Sequence, residues 1–356
     1  MLKKILKYIL LFPFSCLYGI VTSIRNWLYD KKILSSTEFS LPIIGIGNLA
    51  VGGTGKTPHT EFVLSVLQNN YKTAMLSRGY KRRTSGFVLA DEHCNSVTIG
   101  DEPYQIFRKF PNITVAVNEK RVHGVQQLLA LQPDLQAIVL DDAFQHRHIK
   151  AGLSILLTEY AKLYTNDAML PSGRLREWKR GSRRADVVIV TKCPNEIVDF
   201  DTIRQELQLA ETQELYFSTY IYDEIAPVFP SAQGEQWKCQ RLVETKANVL
   251  LLTAIVSPKL IVDYLKQYTS NIERLSFPDH YDFREKDFEL IKKRFSQLSA
   301  NKLIIVTEKD AARLLNNPQL PEELKPYVFA LPIRVKLLEN KEEIFIKKLN
   351  DYVGTN

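Results

Sequence analysis

The stretch Ile43-Ile44-Gly45-Ile46-Gly47-Asn48-Leu49-Ala50-Val51-Gly52-Gly53-Thr54-Gly55-Lys56-Thr57 decides the fold. Its apolar start lacks strict polar alternation, as a strand buried on both faces of a parallel sheet does. It runs into a glycine-rich turn, and Gly55-Lys56-Thr57 then opens a helix, with Pro58 suited to the first helical turn. Glycine lets successive backbone N–H groups point inward at a phosphate, and the helix N-terminus adds a field that favours negative charge. Gly52, Gly53, Thr54, Gly55, Lys56 and Thr57 are therefore the candidate cradle of a nucleoside triphosphate. In it Lys56 reaches the β- and γ-phosphates and the Thr57 hydroxyl serves Mg²⁺. The strict pattern G-x-x-x-x-G-K-[ST] asks for glycine at position 50, where this chain has Ala50; Gly52 and Gly53 supply the flexibility instead.

Outward from this loop the pattern repeats. Ala137-Ile138-Val139-Leu140-Asp141-Asp142 is an apolar strand ending in two carboxylates, the arrangement in which a strand-end aspartate helps hold Mg²⁺. Further strands are expected at 73–76, 113–117, 153–157 and 187–190, and helices at 58–68 and 121–131. This alternation predicts an α/β fold of the phosphate-loop NTPase kind, built on a mostly parallel sheet. The texture changes over 215–229, and a second α/β pattern begins at 249–253 with another strand at 302–307. The expected organisation is an N-terminal helical segment 1–35, a phosphate-loop domain 36–225, a linker or β ribbon 226–245 and a smaller α/β lobe 246–356.

The formal net charge of +7 points to an anionic partner, whether a phosphorylated ligand or an anionic membrane. No zinc-finger spacing or RNP-like stretch is present, so nucleic acid is not expected. Cys16, Cys94, Cys193 and Cys239 are far apart and read as reduced thiols of a cytosolic setting. Lys3, Lys4 and Lys7 precede an uncharged stretch over 8–24, and Arg25, Lys31 and Lys32 follow it. As a helix that stretch reaches roughly 25 Å, short of the ~30 Å hydrocarbon core. It reads as a segment lying in the anionic cytoplasmic face of a membrane, peripheral or monotopic.

Gly47-Asn48-Leu49 with Val51-Gly52-Gly53 and Gly55-Lys56-Thr57, together with Leu76-Ser77-Arg78-Gly79-Tyr80, closely resembles the tetraacyldisaccharide 4′-kinase family. Gly100-Asp101-Glu102-Pro103, Leu140-Asp141-Asp142-Ala143-Phe144-Gln145-His146 and Leu175-Arg176-Glu177 extend the match. So do Phe277-Pro278-Asp279-His280-Tyr281 and Thr307-Glu308-Lys309-Asp310-Ala311. The motifs run in family order from about 40 to 315. The resemblance implies two lobes, association with the inner membrane and use of ATP with Mg²⁺. It implies transfer of the γ-phosphate to the 4′-hydroxyl of a tetraacylated glucosamine disaccharide 1-phosphate. A phosphate-loop ATPase, ligase or nucleotide switch at a membrane is the alternative class.

A hydroxyl acceptor needs a base, and Asp101 in its Gly-Asp-Glu-Pro turn is the candidate, matched in the family with a histidine at His280. Arg78, Arg121, Arg174 and Arg176 are candidates for charge on the transferring phosphoryl group, and Asp141 and Asp142 with Thr57 for Mg²⁺. Arg174 departs from the proline common in the family, and Lys81-Arg82-Arg83 replaces its glycines; that basic run is read as facing the lipid's 1-phosphate, anionic headgroups or water. The turn at 253–258 also departs from the family's glycine-rich version. The sequence leaves the oligomeric state open.

Overall fold

The computed structural model describes residues 2–194, 199–232, 238–279 and 281–355, with side chains from Leu10 onward. In chain order the first elements are α1 (Leu2–Asp30), β1 (Ile43–Asn48), α2 (Lys56–Leu67), β2 (Thr73–Ser77), β3 (Val88–Leu89), α3 (Ser96–Ile99), α4 (Asp101–Lys109), β4 (Thr114–Val117), α5 (Arg121–Leu131) and β5 (Ala137–Leu140). There follow β6 (Leu153–Glu159), β7 (Val187–Thr191), α6 (Phe200–Leu207), β8 (Glu214–Tyr222), β9 (Ala226–Pro227), α7 (Cys239–Glu244), β10 (Asn248–Thr253) and α8 (Lys259–Leu265). The last are β11 (Ile272–Ser276), α9 (Glu285–Gln297), β12 (Lys302–Val306), α10 (Glu308–Leu315), β13 (Val328–Ala330), β14 (Ile333–Leu337) and α11 (Glu342–Gly354).

Two compact units result. Unit 1 comprises Met1–Glu92, Ile106–Tyr220 and Val335–Asn356, and unit 2 comprises His93–Gln105 and Ile221–Arg334. Unit 1 carries a nine-stranded sheet in the order β14-β8-β7-β6-β1-β5-β2-β4-β3, in which β1 runs parallel to both β5 and β6. Every residue of β1, β2, β5 and β7 is buried, because both sheet faces are covered. Successive side chains point to opposite faces. Thus Ile44 and Ile46 pack with Leu64, Leu67 and Phe345 from α2 and α11, while Ile43 packs with Val125 and Leu128 of α5 on the other face. After β1 the chain moves to one side of the sheet and later returns to the other side through β6. Such a switch point, at the carboxyl ends of the strands, is where α/β sheets bind ligands.

Unit 2 carries a five-stranded sheet, β11-β10-β12-β13-β9, parallel except for β9. Its core sets Leu250, Leu252 and Ile304 against Phe288 and Ile291 of α9. Two segments sit in a different unit from their sequence neighbours. Val335–Asn356 returns to unit 1, where β14 edges the large sheet beside β8 and Phe345 of α11 stacks on Phe62 of α2 at 6.1 Å. His93–Gln105, which contains Asp101, belongs to unit 2. The stretch expected as a ribbon or linker over 226–245 forms the short β9 and the helix α7 among its described residues.

Candidate active site

The turn after β1 is shaped by its own backbone and by a strap that follows the cis Leu170-Pro171 bond. Ala50 forms an antiparallel bridge with Leu175, Val51 N donates to Arg174 O at 2.7 Å, and Arg176 N donates to Leu49 O at 2.7 Å. Ala50 is thus a buried residue of a bridged segment, so position 50 has no need of glycine. Freedom is needed further on: Gly52 has φ 112°, and Gly55, which caps α2, has φ 90°. A Cβ at Gly55 would lie 2.2 Å from Tyr220 Oη. Gly55→Ala is therefore expected to lower nucleotide affinity by more than tenfold while also costing about 1–2 kcal/mol of stability. Isothermal titration and a thermal melt read the two effects.

Side chains hold the loop from beneath. Asn48 Nδ2 donates to Thr54 Oγ1 at 2.6 Å, and Thr191 Oγ1 donates to Thr54 O at 2.8 Å. Lys192, in the left-handed region at φ 57°, places its ammonium on Gly53 O and on Glu159 at 3.0 Å. His59 is wedged between Gly55 O at 2.7 Å and Ser218 Oγ at 2.9 Å. Burial pushes its pKa down to about 4, with Lys192 adding to the fall and the Gly55 carbonyl opposing it. The unfolded chain then takes up a proton below about pH 6.5 that the folded chain resists down to about pH 4. The stability tied to neutral His59 is complete above about pH 6.5 and is lost as pH falls through about 4. A melting-temperature series from pH 7 to pH 4.5 should fall, and should fall less in His59→Gln.

The carboxylate pair follows β5. Asp142 sits in the left-handed region at φ 47°, with Lys56 Nζ 3.6 Å and Arg176 Nη1 2.9 Å from its Oδ1. Burial alone would raise the Asp142 pKa, but Lys56 and Arg176 outweigh it and hold the group below its usual range. Asp141 is buried and accepts from Thr60 Oγ1 at 3.3 Å. The Thr57 hydroxyl, half-buried at the start of α2, makes no side-chain hydrogen bond among the described residues. One hydroxyl and two carboxylates are hard oxygen donors of the kind Mg²⁺ takes, with phosphate oxygens and water completing its shell. Lys56, Asp142, Thr57 and the loop fit an Mg²⁺-triphosphate, and the Lys56–Asp142 contact holds both charges beside the loop.

The arginines differ in role. Arg176 bridges Asp142 and Gln145 Oε1 at 3.2 Å. Arg121 is wholly buried and donates to Asn118 O at 2.7 Å and Asp141 O at 3.1 Å. Burial lowers its pKa to about 10, with Asp141 and Asp142 opposing, so it stays charged as a fixed cation behind the carboxylates. Arg78 is exposed and makes no hydrogen bond among the described residues. Arg174 is placed otherwise than the sequence suggests. Its guanidinium is taken up by Asp167 Oδ2 at 2.7 Å and Glu159 at 3.5 Å, because the strap buries Asp167 and demands a cation there. Arg174→Ala is expected to cost about 1–3 kcal/mol of stability in a denaturant melt, with a smaller effect on turnover than Lys56→Ala. Lys81-Arg82-Arg83 also splits: the Arg82 side chain is buried and paired with Glu119, while Lys81 and Arg83 are exposed.

In unit 2, Asp101 begins α4, and its Oδ2 accepts from Arg313 Nε at 2.8 Å. Lys309 pairs with Glu102 at 3.4 Å and Asp279 at 3.3 Å, while Asp310 pairs with Arg313 at 2.9 Å. His280 lies outside the described residues.

Residues 7–353 match the family model described as LpxK, tetraacyldisaccharide-1-P 4′-kinase. The chain belongs to this kinase family. The tetraacyldisaccharide 4′-kinase of Bacteroides thetaiotaomicron is 49% identical over 354 residues, covering 97% of this chain and 93% of the relative. That of Flavobacterium johnsoniae is 44% identical over 349 residues, covering 98% of this chain and 97% of its own. Among solved structures, LpxK from Aquifex aeolicus in complex with ATP superposes with a TM-score of 0.73 at 27% identity, covering 97% of this chain and 99% of that one. Membership of the kinase family accounts for the loop, the carboxylate pair and the mostly parallel sheet together. Gln145, Lys192, His59 and Arg313 join these contacts without standing out in the sequence as site residues. Gln145 lay within a quoted motif, and Arg313 stands three residues after Asp310, one turn along α10, which was the available signal.

Proposed function

We propose that this chain transfers the γ-phosphate of ATP to the 4′-hydroxyl of a tetraacylated glucosamine disaccharide 1-phosphate, forming the bis-phosphorylated precursor of lipid A. The observation that carries this is the loop itself: two left-handed glycines, Gly52 and Gly55, ahead of Lys56 and an unengaged Thr57 hydroxyl, in a chain that matches the kinase family nearly end to end. Backbone N–H groups of 52–57 and the Lys56 ammonium hold the triphosphate. Thr57, Asp141 and Asp142 would hold Mg²⁺, which neutralises charge on the β- and γ-phosphates when bound. Asp101 takes the proton of the 4′-hydroxyl as its oxygen bonds to the γ-phosphorus and the bond to the ADP oxygen breaks. His280 orients Asp101, and Arg176 and Arg78 offset charge on the transferring group.

The lipid acceptor is met at a membrane surface. No helix among the described residues is long and apolar enough to cross a membrane. Yet α1 leaves Phe14, Leu17, Ile20, Val21 and Ile24 more than half exposed. Its other side is tied down through Ser15 Oγ to Met169 O at 3.1 Å and Asn26 Nδ2 to Glu177 at 2.8 Å. An apolar face held outward, with Lys3, Lys4 and Lys7 before it, supports a helix lying on the cytoplasmic face of the inner membrane. Leu17→Asp with Ile20→Asp is expected to reduce binding to anionic phospholipid vesicles by more than tenfold in flotation, leaving ATP affinity unchanged; undiminished flotation contradicts this placement. The transfer itself is tested with γ-labelled ATP, Mg²⁺ and the monophosphorylated acylated disaccharide. Label in the lipid supports the proposal, and label released only as free phosphate, independent of the lipid, contradicts it.

A further inference from the structure

Asp101 is one end of a chain of charges inside unit 2. Thr307 caps α10, accepting from Asp310 N at 3.1 Å and donating to Asp310 Oδ2 at 2.7 Å. Asp310 is wholly buried and also accepts from Ala254 N at 3.1 Å. One turn on, Arg313 Nη1 donates to Asp310 Oδ1 at 2.9 Å and to Ala254 O at 3.2 Å. The rest of the guanidinium faces Asp101, with Nε and Nη2 each 2.8 Å from Oδ2. The Arg313 side chain is 6% exposed and that of Asp101 17%.

We propose that Arg313, clamped by Asp310, is a positioning residue of Asp101, fixing where its Oδ2 lies. The proposal rests on the reading of Asp101 as the base. A carboxylate at the first residue of a helix has unpaired backbone N–H groups beside it and is free to turn onto them. A guanidinium anchored at its far end by a buried acid and a carbonyl, with two nitrogens on Oδ2, holds that oxygen away from them. Buried ion pairs add little net stability, since desolvation offsets their attraction, so a buried acid and a half-buried one about a single arginine are poorly explained by folding alone. Burial raises the Asp310 pKa, and Arg313, Thr307 and Ala254 N oppose it. Elsewhere in unit 2, Glu102 and Asp279 both pair with Lys309, and Glu308 of α10 accepts from Ile333 N at 3.3 Å. Arg313 is a cation in direct contact with Asp101.

The test uses the full-length chain with its lipid acceptor. Arg313→Ala is expected to lower kcat by about 10–100-fold with ATP affinity within about twofold of the parent. Activity needs ionised Asp101, so the rate falls as pH drops through its pKa. Removing an adjacent arginine disfavours the ionised carboxylate, moving the acid limb of kcat/KM to higher pH. Arg313→Lys keeps the charge without the fork, so it should restore the limb but only part of kcat. Should Arg313→Ala not fold, Arg313→Lys and Asp310→Asn, the latter lowering kcat by loosening the clamp, carry the test. An unmoved acid limb, or losses in kcat that merely follow melting temperature, overturns the assignment. Asp101→Asn separates the two readings: if it remains active, the base assignment itself fails. If it is inactive while the Arg313 variants keep the parent limb, only the positioning role fails.

Discussion

Lys56→Ala is expected to reduce transfer by about 1,000-fold, with both weaker ATP binding and a lower kcat. The ammonium stands at the N-terminus of α2, 3.6 Å from Asp142. Removing one preorganised charge that faces a developing anion costs about 10²–10³ in rate. A second loss follows from the same substitution: Asp142 keeps Arg176 alone, at 2.9 Å, and the carboxylate placed for Mg²⁺ loses one of the two cations that hold it. The Mg²⁺ concentration giving half-maximal rate should therefore change as well. Steady-state kinetics over ATP and Mg²⁺ check both. Loss confined to the ATP KM, with kcat intact, would assign Lys56 to ground-state binding alone.

Asp101→Asn isolates the other half of the chemistry. The amide keeps the size of the carboxylate and an oxygen for Arg313, yet it cannot accept the acceptor's proton. General-base contributions run to about 10²–10⁴, and a loss of kcat in that range is expected. ATP affinity should stay within about twofold, because the role given to Asp101 is to take the acceptor's proton and not to hold phosphate. Isothermal titration with a non-hydrolysable analogue and single-turnover transfer separate the two quantities. A variant that binds ATP tenfold more weakly would contradict the role of base.

The contrast between these variants follows what could be read from the chain. The strands of the large sheet were legible because they are continuous apolar runs, and β1 with its loop carried the fold because Gly55-Lys56-Thr57 has few other physical explanations. Val335–Asn356 was not legible as part of unit 1. β14 alternates and α11 is amphipathic, and such patterns say that a face is buried without saying against which partner. The same holds at the site. Lys56, Asp141 and Asp142 were visible because local motifs place them. The contacts of Arg174 are not legible locally because an arginine's partner is set by tertiary packing: Asp167, seven residues away, takes its guanidinium. Arg313 escaped notice because its contact with Asp101 joins positions 212 residues apart. His59 reads as an ordinary helical residue, and its wedge between Gly55 O and Ser218 exists only once β8 is in place.

The proposed kinase activity depends on the turn between β1 and α2 gripping a triphosphate. A crystal grown with Mg²⁺ and a non-hydrolysable ATP analogue tests this most directly. The expected density places the β- and γ-phosphates within hydrogen-bond distance of the N–H groups of 53–57, with Lys56 Nζ turned from Asp142 onto the γ-phosphate and Thr57 Oγ1 on the metal. An analogue bound elsewhere, with Lys56 still on Asp142 and the turn unchanged, would contradict it.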